Sequence, residues 1–455
     1  FTDRFGHRLS GSQVLEDSID WLVSELRSEF GPEAVWTEPA TVPRWTRGRE
    51  HAALAAPLVG GRQHELRMLG LGRSVGTPPG GLEAEAVVVR SREDLDARGA
   101  RGELAGKIVV YNQEWQGYGK TVQYRYSGAS WAARHGAVGA LVRSVAPFSL
   151  ALPHTGVMAY DLNVTATKIP AAALTLEDVD MLQRMQDRGW PLRIRLEMEA
   201  ENHADVPSRN TVVELPGSEL PQEKVLLSGH LDSWDVGFGA MDDGVGAFLS
   251  LQALSLIRAS GLRPRRSIRA VLWTAEEVGG GARAFWEQHR SDIDDYSAVL
   301  ECDSGAFTAH GMRLSGPVAA HAALREILAP LEDLGMHRVA TGGGGADIEP
   351  AMERGVPGLS LLHSAEAAFR DWDAPGANCA SCAARGYDTP HFQGNYFFYH
   401  HTEADTVSVL DPGQLDRVSL LFATAALGLA GLDGRLPRGA PAEAAEVDAA
   451  LGAQA

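Results

Sequence analysis

Four short clusters in the sequence combine imidazole and carboxylate side chains. The first is Ser228-Gly229-His230-Leu231-Asp232, with Asp242-Asp243 following twelve residues after His230. The second is Thr274-Ala275-Glu276-Glu277, the third Glu301-Cys302-Asp303-Ser304, and the fourth His400-His401-Thr402-Glu403. Imidazole nitrogen and carboxylate oxygen are the donors a borderline divalent cation such as Zn²⁺ accepts. Any one cluster alone has an ordinary reading, a packed histidine or acids on a solvated face. Together they are enough to supply two histidines, three carboxylates and a spare Glu, the inventory two metals need to share one carboxylate at roughly 3.5–4 Å. Neighbouring Glu276 and Glu277 repel unless a cation lies beside them. One then coordinates and the other takes a proton from water. Asp232, two residues from His230, is expected to accept the far ring N–H and set the tautomer. Gly237, Gly239, Gly244 and Gly246 are expected to let backbone approach a small ion closely.

Each cluster follows an apolar or aromatic run that reads as a strand, and open α/β sheets place sites past strand C-termini. Strands are expected at Val212 to Leu215, Val225 to Leu227, Ser267 to Trp273 and Ser297 to Leu300, with helices at Gly244 to Ala259 and Ala282 to His289. Leu15, Ile19, Leu22, Val23 and Leu26 recur at helical spacing after the start signal Ser10-Gly11-Ser12, and Gly31-Pro32 stops that helix. Gly76 to Gly81 reads as a boundary. Beyond it, Ala86 to Val89, Lys107 to Tyr111, Gly136 to Val142, the start at Ile169-Pro170-Ala171 and the alternation from Leu192 to Met198 form a β-rich block. Ser130 to His135 and the segment capped by Thr175, with Asp178 three residues on, are its helices. A last helix runs from Pro412 to about Gly431, and an Ala/Pro/Gly-rich tail is expected to be poorly ordered. The fold class is therefore α/β, a mixed central sheet flanked by helices. The expected divisions are 1–81, an inserted block at 82–200, 201–434 and a tail at 435–455.

With 41 Lys+Arg against 59 Asp+Glu the net charge is −18, which argues against nucleic acid as a partner. No apolar run reaches the roughly 18–20 residues of a membrane span. A chain of 455 residues buries a large core without staples, and three cysteines make no disulfide framework. Numbering begins at Phe1, so a targeting peptide is expected to have been removed or left out.

The segments GHLDSWDVGFGAMDDGVGAF, VLWTAEEVGGGARAF, ECDSG and YHHTEADT resemble the co-catalytic zinc exopeptidases that include aminopeptidase Y and the glutamate carboxypeptidases. FGHRLSGS, LGLGRSVGTPP, GKIVVYNQ, TVQYR, RSVAPFS, PHTG and KIPAAALT extend the resemblance over nearly the whole chain. It implies two Zn²⁺ per chain, other divalent metals being possible. His230 and Asp303 would hold one, Glu277 and His401 the other, and Asp242 would bridge them. Glu276 would be general base and then general acid, Asp232 an orienting residue, and the Asp242–Asp243 peptide cis. His400 is either an oxyanion donor or a packed histidine. The block at 82–200 would be a protease-associated domain. The resemblance also implies a homodimer, an exported protein and short peptide substrates, foremost dipeptides with free termini.

Other readings stay open. The same dizinc chemistry would serve an aminopeptidase or an N-acyl amino acid amidohydrolase, and metal-free relatives act as binding modules. The loop Thr341-Gly342-Gly343-Gly344-Gly345-Ala346-Asp347 lacks the Lys-Ser/Thr of a phosphate loop. Its Asp347 is either a substrate-amine contact or a turn or helix-cap residue. An insertion at about 369–393 departs from the family pattern. It carries Cys379 and Cys382, which form either a local disulfide or free thiols.

Overall fold

The alternating apolar run Val225-Leu226-Leu227 sends Val225 and Leu227 to one face of a sheet and Leu226 to the other, and all three are fully buried. Both faces are therefore covered, which is the requirement of a parallel sheet. The computed structural model describes residues 1–364 and 394–452. The insertion at about 369–393, with Cys379 and Cys382, lies outside the described residues.

The chain divides into two compact units. The first takes the described residues of Phe1–Pro43, Asp205–Asn378 and Asp405–Ala455. Among the described residues its sheet has eight strands, in the spatial order Val35–Val42, Val206–Leu215, Arg266–Trp273, Leu220–His230, Tyr296–Glu301, Gly358–Ser364, Thr308–Ser315 and Arg338–Thr341. The four strands from Arg266–Trp273 to Gly358–Ser364 run parallel, and antiparallel neighbours flank them. On one face Val225, Leu227, Ile268, Ala270 and Leu272 meet Leu15, Ile19, Leu254, Phe422 and Leu429 of the covering helices Gln13–Phe30, Val245–Ser260 and Pro412–Gly431. On the other, Leu226, Val271, Trp273 and Val299 pack with Phe285 and Trp286 of helix Gly281–Gln288. Each such buried aliphatic side chain contributes roughly 1.5–3 kcal/mol.

Local signals set the helix ends. Ser12 accepts the Leu15 N–H at 3.2 Å, and Gly31 stops that helix at φ 95°. Asp411 accepts the Gly413 and Gln414 N–H groups, with Pro412 in the first turn. The tail differs from its expected disorder. Helix Ala444–Leu451 is capped by reciprocal Glu443 and Glu446 contacts, and Arg325 donates to the Leu451 carbonyl at 2.8 Å.

The second unit takes Arg44–Ala204 and the described residues of Cys379–Ala404. It begins well before residue 82, because strands Glu50–Val59 and Met68–Gly70 pair with Leu192–Met198 and Ala171–Leu174 of the same sheet. Gly76 to Gly81 is thus a turn within that unit. Its central strands Leu82–Val89, Ile108–Tyr111, Gly139–Arg143 and Ala171–Leu174 are parallel, with helices Arg92–Ala100 and Tyr118–Arg134 between them. The block is α/β in its own right, its core built from Val87, Val109, Ala132, Ala140 and Ala171. Thr175 caps helix Leu176–Asp187 as expected. Asp178, however, turns its carboxylate to the Arg67 N–H at 2.9 Å instead of closing a capping box.

Candidate metal centre

Strands Leu220–His230, Arg266–Trp273 and Tyr296–Glu301 are adjacent and parallel, with His230 opposite Trp273 and Ser228 opposite Glu301. That register brings three chain exits to one sheet edge: His230, the turn from Thr274 to Glu277, and Cys302-Asp303. The connection after His230 then returns Asp242 to the imidazole, whose Nε2 is 3.2 Å from Asp242 Oδ1 and 3.6 Å from Asp303 Oδ1. One donor atom each of His230, Asp242 and Glu277 lie within 4.8 Å of one another, and so do one each of His230, Asp243 and Asp303. The Asp242–Asp243 peptide is cis.

Burial disfavours charge on His230. Its contacts with the carboxylates of Asp232, Asp242 and Asp303 outweigh that and hold the imidazole well above its ordinary pKa. Buried carboxylates thus pull positive charge to the point where they converge. A divalent cation answers the same demand, and one imidazole with several carboxylates is a donor set Zn²⁺ accepts.

The orienting contacts are more numerous than expected. His230 Nδ1 donates to the backbone carbonyl of Asp232 at 2.9 Å, and the Asp232 carboxylate is 3.5 Å away. That carboxylate is engaged on its other side as well. Its oxygens accept the N–H of Glu276 at 3.0 Å and of Glu277 at 3.3 Å. Asp232 therefore fixes the turn that carries both glutamates. Burial raises Glu276 well above the usual carboxylate range, and the nearby acids Asp303, Glu277 and Asp232 add to the rise, against an opposing pull from His230. The glycines also differ in role. Gly237 and Gly239 adopt positive φ, 64° and 55°, in the loop. At Gly246 a Cβ would collide with the Cys302 carbonyl and the Asp243 carboxylate, so this glycine serves helix packing.

Four residues of the framework were not singled out from sequence. Asp243 accepts the N–H of His230 and of Gly246, both at 3.0 Å, tying the strand end to the following helix. Arg8 is fully buried and donates to four backbone carbonyls, among them Leu231 at 2.6 Å and Gly239 at 2.8 Å. Asp405 accepts three successive N–H groups, those of Ala240, Met241 and Asp242. Arg8 and Asp405 stand inside FGHRLSGS and YHHTEADT, so the resemblance marked their segments without marking their work. The fourth, His154, lies in the second unit.

In that unit His400 and His401 are buried, with ring centroids 3.5 Å apart, and His400 sits among Tyr118, Tyr396 and Phe397. His401 Nδ1 meets the Thr155 carbonyl at 3.1 Å, and the His401 carbonyl accepts the Thr155 N–H at 3.1 Å. With Nδ1 carrying the proton, Nε2 is the nitrogen with the metal-binding lone pair. Arg125 Nη1, 3.5 Å from that Nδ1, then donates to the Thr155 carbonyl at 3.4 Å. His154, pushed down to about 3 by burial, is neutral and donates Nδ1–H to the His400 carbonyl at 2.8 Å.

Near the sheet edge of the first unit, Asp347 is 7% exposed and Glu301 is 2% exposed. Burial first, and Asp303 next, push Glu301 up to about 8. Asp347 does not cap a helix: helix Glu349–Glu353 has Ile348 at its N-cap and no side-chain cap.

The family model for peptidase family M28 matches residues 210–426. Carboxypeptidase Q of Mus musculus is 44% identical over 437 residues, covering 96% of this chain and 85% of that protein. The chain belongs to peptidase family M28. It is a zinc metallopeptidase. The crystal structure of a peptidase M28 precursor from Shewanella amazonensis SB2B matches with a TM-score of 0.83 at 32% identity, covering 97% of this chain and 93% of that one. A zinc aminopeptidase from Bacillus subtilis has the same fold, with a TM-score of 0.61 at 17% identity, covering 93% and 91%. Among the described residues no helix is long and apolar enough to cross a membrane.

Proposed function

We propose that the enzyme is a dizinc exopeptidase acting on short peptides, foremost dipeptides with free termini. The observation that carries the reading is the convergence of Asp242, Asp303 and Glu277 on His230 at one end of a parallel sheet. His230 and Asp303 are assigned to one ion, Glu277 to the other and Asp242 to both. His401 is assigned as the fifth ligand on the strength of the YHHTEADT motif. The two ions, when bound, would acidify water and polarise the scissile carbonyl.

Glu276 takes the proton from the attacking water and returns it to the leaving amine. Its place on the turn held by Asp232 supports that role, because two backbone bonds keep its Cα from drifting during proton transfer. His400 is assigned as donor to the developing oxyanion. The second unit is assigned as a protease-associated domain, and the native enzyme as a homodimer working outside the cytoplasm. The substrate preference rests on the 44% identity to carboxypeptidase Q. A panel of free, N-acetylated and C-amidated dipeptides, followed by mass spectrometry with and without chelator, tests it. Chelator-sensitive hydrolysis is expected, fast on free dipeptides and much slower on the N-acetylated and C-amidated ones. Equal rates on N-acetylated ones point to the amidohydrolase reading, and hydrolysis that survives full metal removal rejects the proposal.

A further inference from the structure

The loop that delivers Asp242 to His230 has no secondary structure from Leu231 to Gly239 apart from bends, yet its backbone is bonded from two sides. On the carbonyl side, Arg8 places Nε 2.6 Å from the Leu231 carbonyl, Nη1 2.7 Å from that of Phe238 and Nη2 2.8 Å from that of Gly239. Nη1 also donates to the Gly6 carbonyl at 2.8 Å, and the Arg8 guanidinium lies over the Phe1 ring at 4.8 Å. On the amide side, Asp405 Oδ1 accepts from Ala240 at 3.0 Å and Met241 at 2.6 Å, and Oδ2 from Asp242 at 3.1 Å. The Phe238 N–H donates to the Asp405 carbonyl at 2.6 Å. Five consecutive residues, from Phe238 to Asp242, therefore have their backbone groups bonded by two side chains remote in sequence.

We propose that Arg8 and Asp405 are positioning residues of the metal centre, a two-sided clamp that holds Phe238–Asp242 so that the Asp242 carboxylate stands at His230 before a metal ion arrives. The proposal rests on Asp242 being a ligand. Its physical content is preorganisation. A loop bonded in its ligand-ready form does not pay ordering entropy when the ion binds. Arg8 suits the carbonyl side because its planar fork reaches several acceptors in fixed directions, which an ammonium on a flexible stem does not. It also brings one positive charge toward Asp232, Asp405, Asp243 and Asp242, offsetting part of their mutual repulsion. Asp405 suits the amide side because a carboxylate is all acceptor and can take three N–H groups at once.

The test uses the full chain, stripped of metal and titrated with Zn²⁺ against a chromophoric chelator, and with Co²⁺ read by its visible absorption. Asp405→Asn and Arg8→Lys are compared with His289→Gln, which removes a half-buried hydrogen-bond partner elsewhere in the same unit. Zinc affinity is expected to fall by on the order of tenfold or more in both clamp variants. The Co²⁺ absorption should shift in position or intensity, and both measurements are made well below each variant's unfolding midpoint. His289→Gln should lose stability and keep parent-like zinc affinity and spectrum. Because the two clamp residues act on one loop, the double variant should lose less affinity than the product of the single losses. Parent-like zinc affinity and Co²⁺ absorption in Asp405→Asn and Arg8→Lys, with only the unfolding midpoint lowered, overturn the proposal. If one clamp variant does not fold, the other still decides. Asp242→Asn in the same titration separates the two readings: should it bind zinc as the parent does, the ligand assignment fails and the clamp with it, whereas weakened zinc binding there beside parent-like clamp variants overturns the clamp alone.

Discussion

The Asp232 carboxylate accepts the backbone N–H of Glu276 at 3.0 Å, across 44 residues of sequence. With the Glu277 N–H at 3.3 Å on its other oxygen, one side chain orders the turn that carries both glutamates. Asp232 is fully buried, so these bonds are made without competing water. An asparagine there keeps one acceptor and turns an N–H₂ toward the second amide. Asp232→Asn is therefore expected to lower kcat by about 10–100-fold, with a smaller change in KM. Steady-state kinetics beside metal analysis checks this, and parent-like kcat in a metal-replete variant contradicts it.

Glu276→Gln keeps the shape of the side chain and removes its ability to take a proton. The variant is expected to bind the same zinc content as the parent and to lose about 10²–10⁴-fold in kcat. Retained activity would remove Glu276 from the proton-transfer role, and lost zinc would make it a ligand.

A pH-dependent contribution to stability is expected from Glu38 and His289, which join strand Val35–Val42 to the end of helix Gly281–Gln288 at 2.9 Å. Burial alone would raise Glu38, but hydrogen bonds from His289 and Trp36 outweigh it and hold it below its ordinary 4.5. Burial alone would lower His289, but Glu38 and Asp292 hold it above its ordinary 6.5. Glu38 with a depressed pKa contributes fully above 4.5 and loses that contribution as pH falls through its folded value. His289 with a raised pKa contributes fully below 6.5 and loses that contribution as pH rises through its folded value. The pair is thus strongest between about pH 4.5 and 6.5, the ordinary values of the two groups. A double-mutant cycle of Glu38→Gln and His289→Gln should give a coupling of about 1 kcal/mol there, shrinking toward pH 9. A coupling independent of pH would contradict the assignment.

Asp347 is buried and interacts electrostatically with Glu301 and Glu276, and burial together with those charges raises its pKa. If it receives the α-ammonium of the substrate, Asp347→Asn should raise KM for a free dipeptide by roughly tenfold or more and leave hydrolysis of the N-acetylated analogue unchanged. Losses of equal size on both substrates would make Asp347 a packing residue.

The donor chemistry was legible in sequence because it is local. His230, Glu276-Glu277 and Asp303 each sit within a few residues of an apolar strand, and strand ends in a parallel sheet share an edge. Asp242 could be joined to them because it lies in the same connection as His230. The second unit's boundary was not legible, since Gly76 to Gly81 carries the composition of a linker while strands before it pair with strands after it. Nor was the full set of partners of Asp232: proximity to His230 in sequence suggested the imidazole, whose Nδ1 is 3.5 Å from the carboxylate, and the fold added two backbone amides.

The sequence by itself determined which atoms are available to hold metal and move a proton, because side-chain type is enough for that. Only the tertiary structure decided what holds those atoms still. Arg8 and Asp405 are 231 and 163 residues from the backbone groups they bind at Gly239 and Asp242. Backbone carbonyls and amides are the same at every residue, so no pattern of side chains announces which ones a distant arginine or aspartate will bond. That choice exists only once the chain has closed its long-range contacts.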